Sequence, residues 1–151
     1  HNPPWVLVGS VRCVIRDSYT SEHENYKLKV RAILKAVGNY VYDNLKSNRI
    51  LIAPPQGAFY LMPEFKNKKF KTSSKLCEAI LKDTGVAMLP GSDFGFSTKR
   101  MLTRLSYTDF NGTEFFRNVT NYNMIDDDMI KKFAPNVVEG VNKLSNWAKN
   151  L

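Results

Sequence analysis

The chain has 151 residues, 43% of them apolar and 12% aromatic, a composition that argues against disorder and suffices for one domain with its own core. Its net charge of +8 raises the question of a nucleic-acid surface, but the densest basic cluster, Lys66-Asn67-Lys68-Lys69-Phe70-Lys71, carries a single aromatic. Grooves for nucleic acid repeat basic and stacking residues, so the cluster reads as a solvated loop and no nucleic-acid partner is expected. No apolar run approaches bilayer length, and the opening HNPPWVLVGSVRC lacks the basic head and long apolar centre of a signal peptide. The expectation is a soluble, cytoplasmic protein without a membrane partner. Cys13 and Cys77 lack metal-ligand spacing and fit a reducing compartment, where the sequons at Asn111 and Asn118 carry no weight.

Residues 1–25 hold Pro3, Pro4 and a short apolar run, show no clean period, and read as an irregular segment of a chain cut into partway. Tyr26, Val30, Ile33, Leu34, Val37, Tyr40, Val41 and Leu45 then recur at three and four, the stripe of an amphipathic helix from about Ser21 to Lys46, and Ser21 with Glu24 matches a capping box. Ile50 to Ala53 reads as a short strand. Pro54-Pro55 ends it, and Ala58 to Met62 forms a second strand stopped by Pro63, whose apolar character on both faces predicts a covered position in a sheet. Thr72-Ser73-Ser74 opens a helix with Leu76, Cys77, Ile80 and Leu81 inward and Gly85 as its cap.

Val86 to Leu89 is a further strand, Pro90 to Phe96 a loop, and Leu102 to Tyr107 the last strand. Near the C-terminus, Asp126 to Asp128 sit where a helix dipole favours them, and Pro135 suits the first turn of a final helix with Val137, Val138, Val141, Leu144 and Ala148 on its inner side. The sum is an α+β fold: a short sheet of three or four strands backed by helices.

The strand MLTRLSYTDF contains the least expected residue. Alternation sets Leu102, Arg104 and Ser106 on one face and Met101, Thr103, Leu105 and Tyr107 on the other. A guanidinium keeps its charge and is costly to bury alone, so Arg104 reaches solvent, pairs with a carboxylate such as Glu64 or Asp109, or binds an anionic ligand. Little else suggests a self-contained site. His23 opens a surface helix, Cys77 lies on an apolar helix face, the three aspartates splay around a helix start, and no nucleotide-binding glycine motif occurs. The loop LPGSDFGF reads either as a plain turn or as the rim of a site, since both of its ends are tied to the sheet.

The succession PPQGAFYLMPEF, SSKLCEAILKDTGVAMLPGSDFGF and TRLSYTDFNG resembles the C-terminal part of class I/II aminotransferases, the pyridoxal-phosphate enzymes of fold type I, over about five sixths of the chain. The resemblance implies that residues 26–151 are the small domain, that residues 1–25 are the tail of an absent large domain, and that the active unit is a homodimer acting on amino-acid and 2-oxo-acid substrates. It further implies that Arg104, in Arg104-Leu105-Ser106, takes the substrate α-carboxylate through a two-pronged salt bridge. Phe59 matches an aromatic that lines the substrate pocket in some members, and could equally be core.

The chain also departs from the family pattern. The lysine that holds the cofactor belongs to a large-domain segment for which Ser73-Ser74-Lys75 is no substitute, and the aspartate, tyrosine and arginine that hold pyridoxal phosphate are likewise absent. The 151 residues alone are therefore expected to be inactive, with the cofactor bound mainly by the large domain. FSTKRMLT lacks the glycine- and glutamate-rich run of relatives. Two rival readings stay open: the small domain of a fold type I lyase or synthase, and a basic binding module without catalysis.

Overall fold

The computed structural model describes residues 21–151. Helix α1, Ser21–Leu45, forms where the apolar stripe runs, and Ile33, Val37, Tyr40, Val41 and Leu45 are buried. Residues 21–25, which the sequence reading counted both in this helix and in the irregular segment, are helical, and the helix starts at Ser21 as its stripe predicts. Residues 1–20, with Cys13 and the rest of that segment, lie outside the described residues.

Two short strands, β1 (Ile50–Leu51) and β2 (Tyr60–Leu61), flank the prolines, and β3 (Glu64–Phe65) follows Pro63. Helix α2, Ser73–Thr84, starts where Thr72 accepts the Lys75 amide and ends at Gly85 in the left-handed conformation, φ 76°. Then come β4 (Leu89–Pro90), a 3₁₀ turn over Gly91–Phe94, β5 (Thr103–Ser106), α3 (Gly112–Asn118), α4 (Asp127–Phe133) and α5 (Pro135–Ala148). Asp126 caps α4 by accepting the Met129 amide at 2.9 Å, and Pro135 occupies the first turn of α5, both as expected.

The sheet differs from expectation. Two small antiparallel sheets form, β1 with β3 and β2-β5-β4 with β5 in the centre. The β2 strand is therefore an edge strand with Tyr60 exposed, not a covered one, because flanking prolines leave it only two residues of pairing. Strand β3 and helix α3 escaped the sequence reading; each is too short to show a period. Helix α3 is anchored by Phe115, fully buried against Phe133 with ring centroids 5.4 Å apart.

Helix α1 packs on α3, α4 and α5 and meets β2, and α5 in turn packs on α2, which meets β4, so the helices join one another and the three-stranded sheet. The basic loop is solvated as expected. Asn67 Oδ1 accepts the amides of Lys69 and Phe70, and the loop's one aromatic, Phe70, turns inward to stack on Trp147 at 6.1 Å, leaving four exposed lysines. No helix among the described residues is long and apolar enough to cross a membrane.

Gly38, in the middle of α1, faces the aromatic that joins helix to sheet. A Cβ at Gly38 would lie 2.9 Å from the Tyr107 hydroxyl, which is 2% exposed as a residue and donates to the Ala58 carbonyl at 3.0 Å. Gly38→Ala gains up to about 1 kcal/mol of helix propensity but must displace a held ring, which costs about 1–3 kcal/mol. Urea denaturation is expected to show a net loss of stability. The loss should shrink in a Tyr107→Phe background, where the hydroxyl is gone.

Candidate functional site

The register of β5 sorts its side chains. Tyr60 pairs with Ser106, Leu61 with Leu105, Leu89 with Arg104 and Pro90 with Thr103, and directly opposed residues share a face. Leu61, Thr103 and Leu105 are buried, with Thr103 Oγ1 donating to the Pro63 carbonyl at 3.1 Å. Tyr60, Leu89 and Ser106 are exposed on the opposite face, and Arg104 is half-buried among them.

The Arg104 guanidinium carbon sits over the Phe94 ring, 4.3 Å from its centroid, and 5.2 Å from that of Tyr60. Among the described residues it has no ion-pair partner and donates no side-chain hydrogen bond. Glu64, one of the two carboxylates that could have neutralised it, is held by Arg100 instead: Nε donates to Oε1 at 3.0 Å and Nη2 to Oε2 at 2.6 Å. The hydrogen bond from Arg100 holds the Glu64 carboxyl below the usual carboxylate range, and its charge adds to the effect. Asp109, the other candidate, is exposed and makes no ion pair with Arg104. An internal pair is thus excluded for Arg104 within residues 21–151.

The loop after β4 places Phe94. The Gly91 amide donates to the Leu102 carbonyl at 2.8 Å, and a Cβ on Gly91 would stand 2.8 Å from that same oxygen, so only glycine lets the loop lie this close to β5. Gly95, at φ 82°, closes the turn with its amide on the carbonyls of Gly91 and Ser92. Ser73, fully buried at the start of α2, donates to Ser92 at 3.4 Å. The loop is therefore tied to β5 and α2 at once, and its Phe94 and Phe96 rings stand exposed beside Arg104 and Arg100.

Phe59 is 51% exposed, which removes the core alternative, and it touches Tyr60 edge-on at 5.6 Å. Its backbone is held from both sides: the Tyr107 amide donates to the Phe59 carbonyl at 3.2 Å and the Tyr107 hydroxyl to that of Ala58. Ala58 itself adopts φ 62°, the left-handed region that disfavours a side chain, at a cost of about 1–3 kcal/mol. Tyr60 touches both Phe59 and Arg104 and so links the two. The sequence reading missed Tyr60 and Phe94 as partners of Arg104, because only the strand register and the loop path bring them there.

The other candidates are set aside by their surroundings. The Cys77 thiol is pushed up to about 11 by burial, with a smaller contribution from Asp93, and stays protonated as a packing group. Lys75 is exposed and paired with Glu78 at 2.8 Å. His23 is exposed, and no group of three metal-ligating side chains occurs among the described residues. A cleft of about 450 Å³ is lined by Val41, Tyr107, Asp109 and Lys143, and another of about 540 Å³ by Tyr26, Ile33, Phe110 and Phe116. Neither includes Arg104, which lies on an open face.

The sequence model of the family Aminotransferase class I and II matches residues 17–114. The chain belongs to that family. The match begins earlier than the resemblance at Tyr26 and stops within α3. Among curated relatives of this aminotransferase-family chain, the probable N-acetyl-LL-diaminopimelate aminotransferase of Bacillus subtilis is 45% identical over 56 residues, 37% of this chain and 14% of the relative. The inactive alanine aminotransferase of Saccharomyces cerevisiae is 31% identical over 90 residues, 52% of this chain and 18% of the relative. The chain thus spans less than a fifth of these curated relatives.

Two solved structures share its fold. The alanine aminotransferase of Pyrococcus furiosus gives a TM-score of 0.55 at 20% identity, and the aromatic aminotransferase of Pyrococcus horikoshii 0.53 at 22%. Each alignment covers 78% of this chain, and 24% and 25% of the respective structures.

The Glu64–Arg100 pair has a pH signature. A carboxyl whose folded pKa is depressed contributes stability above its unfolded pKa and loses that contribution as pH falls through the folded value. Glu64→Gln is therefore expected to lower stability at neutral pH and to flatten the acid limb of the pH–stability curve. Thermal melts between neutral and acid pH, compared with wild type, check this; parallel acid limbs would exclude it.

Proposed function

We propose that this chain is the C-terminal small domain of a longer, pyridoxal-phosphate-dependent aminotransferase that moves an amino group between an α-amino acid and a 2-oxo acid. In this reading residues 26–151 form the domain, residues 1–25 lead in from a large domain, and the active unit is a cytoplasmic homodimer. Arg104 binds the substrate α-carboxylate, and Phe59 lines the same pocket. One observation carries the proposal. Arg104 stands on an exposed sheet face with its charge unmatched by any described carboxylate, while the neighbouring Arg100 consumes Glu64. A planar fork of donors left open in this way suits a carboxylate, which accepts two parallel N–H bonds.

The described residues do not fit pyridoxal phosphate. Their lysines are exposed or, for Lys29, half-buried with Nζ over the Phe116 ring at 4.3 Å. The cofactor is therefore assigned to the large domain, which supplies the electron-withdrawing chemistry. The residues described here contribute orientation and closure: excluding water over Arg104 strengthens its ion pair and aligns the substrate. The exposed sheet face around Arg104, formed by Tyr60, Leu89 and Ser106, is consistent with a site completed by another surface. A lyase or synthase of the same fold would use the same clamp, and adding aspartate, alanine or phenylalanine to the full polypeptide while following its visible spectrum and keto-acid product distinguishes them.

Arg104→Lys in the full polypeptide removes the fork while keeping the charge. Charged hydrogen bonds contribute about 1.5–3 kcal/mol, so KM for amino and oxo acids is expected to rise about 10- to 150-fold with bound cofactor unchanged. Unaltered kinetics would remove Arg104 from the site.

A further inference from the structure

We infer that Phe94 is a positioning residue for the substrate carboxylate, acting through Arg104; this rests on the reading of Arg104 as the clamp. An arginine at the centre of a three-stranded sheet has a long side chain with many rotamers, and no described carboxylate or carbonyl holds its head. What holds it is the Phe94 ring at 4.3 Å, with Tyr60 at 5.2 Å as the second wall. A ring attracts the cation through its quadrupole without taking up N–H donors in conventional hydrogen bonds. The guanidinium is thus fixed while its donor fork stays available. A carboxylate partner such as the Glu64 that holds Arg100 would fix the head equally well and block the fork.

Core packing does not account for Phe94. The ring is 39% exposed and lies outside the buried cluster. Its backbone, however, is fastened: Gly91 on the Leu102 carbonyl at 2.8 Å and Gly95 closing the turn at φ 82° hold the loop to the strand that carries Arg104. An exposed ring on a fastened loop, aimed at an unpaired cation, is the arrangement of a preorganised binding group.

The test compares Phe94→Leu, Phe94→Tyr and replacement of Phe94 by pentafluorophenylalanine in the cofactor-loaded full polypeptide, with Arg104→Lys as reference. The probe is whichever of alanine, aspartate or phenylalanine the enzyme turns over. Pentafluorination keeps the ring's shape but reverses its quadrupole, so a role in packing alone does not respond to it. Leucine and the fluorinated ring are expected to raise KM about five- to thirty-fold with kcat changed far less, and tyrosine to restore wild-type KM. If Arg104→Lys raises KM but neither leucine nor the fluorinated ring does, the clamp stands and the role of Phe94 falls. A leucine effect without a fluorine effect reduces Phe94 to packing and also overturns the inference. If Arg104→Lys leaves KM unchanged, the clamp reading itself fails and takes this inference with it.

Discussion

The pairing of β5 between β2 and β4 is the constraint on which the site depends. Antiparallel register fixes which side chains share a face, and a slip of one residue would turn Thr103 and Leu105 out of the core and Arg104 into it. Such a slip is opposed by specific contacts. Thr103 is fully buried with its amide and hydroxyl both on the Pro63 carbonyl, and Leu105 packs with Leu61. A buried guanidinium without a partner would add several kcal/mol to the penalty, so core packing and charge enforce the same register.

The two neighbouring arginines divide between structural and open roles. Arg100 satisfies Glu64 with two hydrogen bonds across the gap to β3, whereas Arg104 meets only rings. Both side chains are arginine, and neither is distinguished by composition. What separates them is that Glu64 faces Leu102 through an isolated bridge, which places it beside Arg100 and out of use for Arg104.

Tyr107 links the helical layer to the aromatic rim. Its hydroxyl holds Ala58 in the left-handed conformation and its amide holds Phe59, while its ring lies against Gly38 of α1. Burial pushes its phenol pKa up, so the hydroxyl remains a donor across the neutral range. Strain at Ala58 persists because these contacts over-determine it, and its consequence is that Phe59 and Tyr60 present their rings outward instead of folding into the core.

The long elements were legible in the sequence because their signals are local. The stripe from Ile33 to Leu45, Thr72 and Gly85 around α2, Asp126 before α4 and Pro135 in α5 each report on backbone groups within a few residues. The three ordered motifs and the oddity of Arg104 on its strand were equally visible. The edge position of β2, the existence of β3 and α3, the left-handed turn at Ala58 rather than at the adjacent Gly57, and the choice of Arg100 as the partner of Glu64 were not. Sequence alone determined that Arg104 would share a face with Ser106, opposite Thr103 and Leu105, since alternation is a property of the strand itself. Only the tertiary structure decided that no described carboxylate reaches it and that Phe94 does, because both depend on register and loop path across residues far apart in the chain.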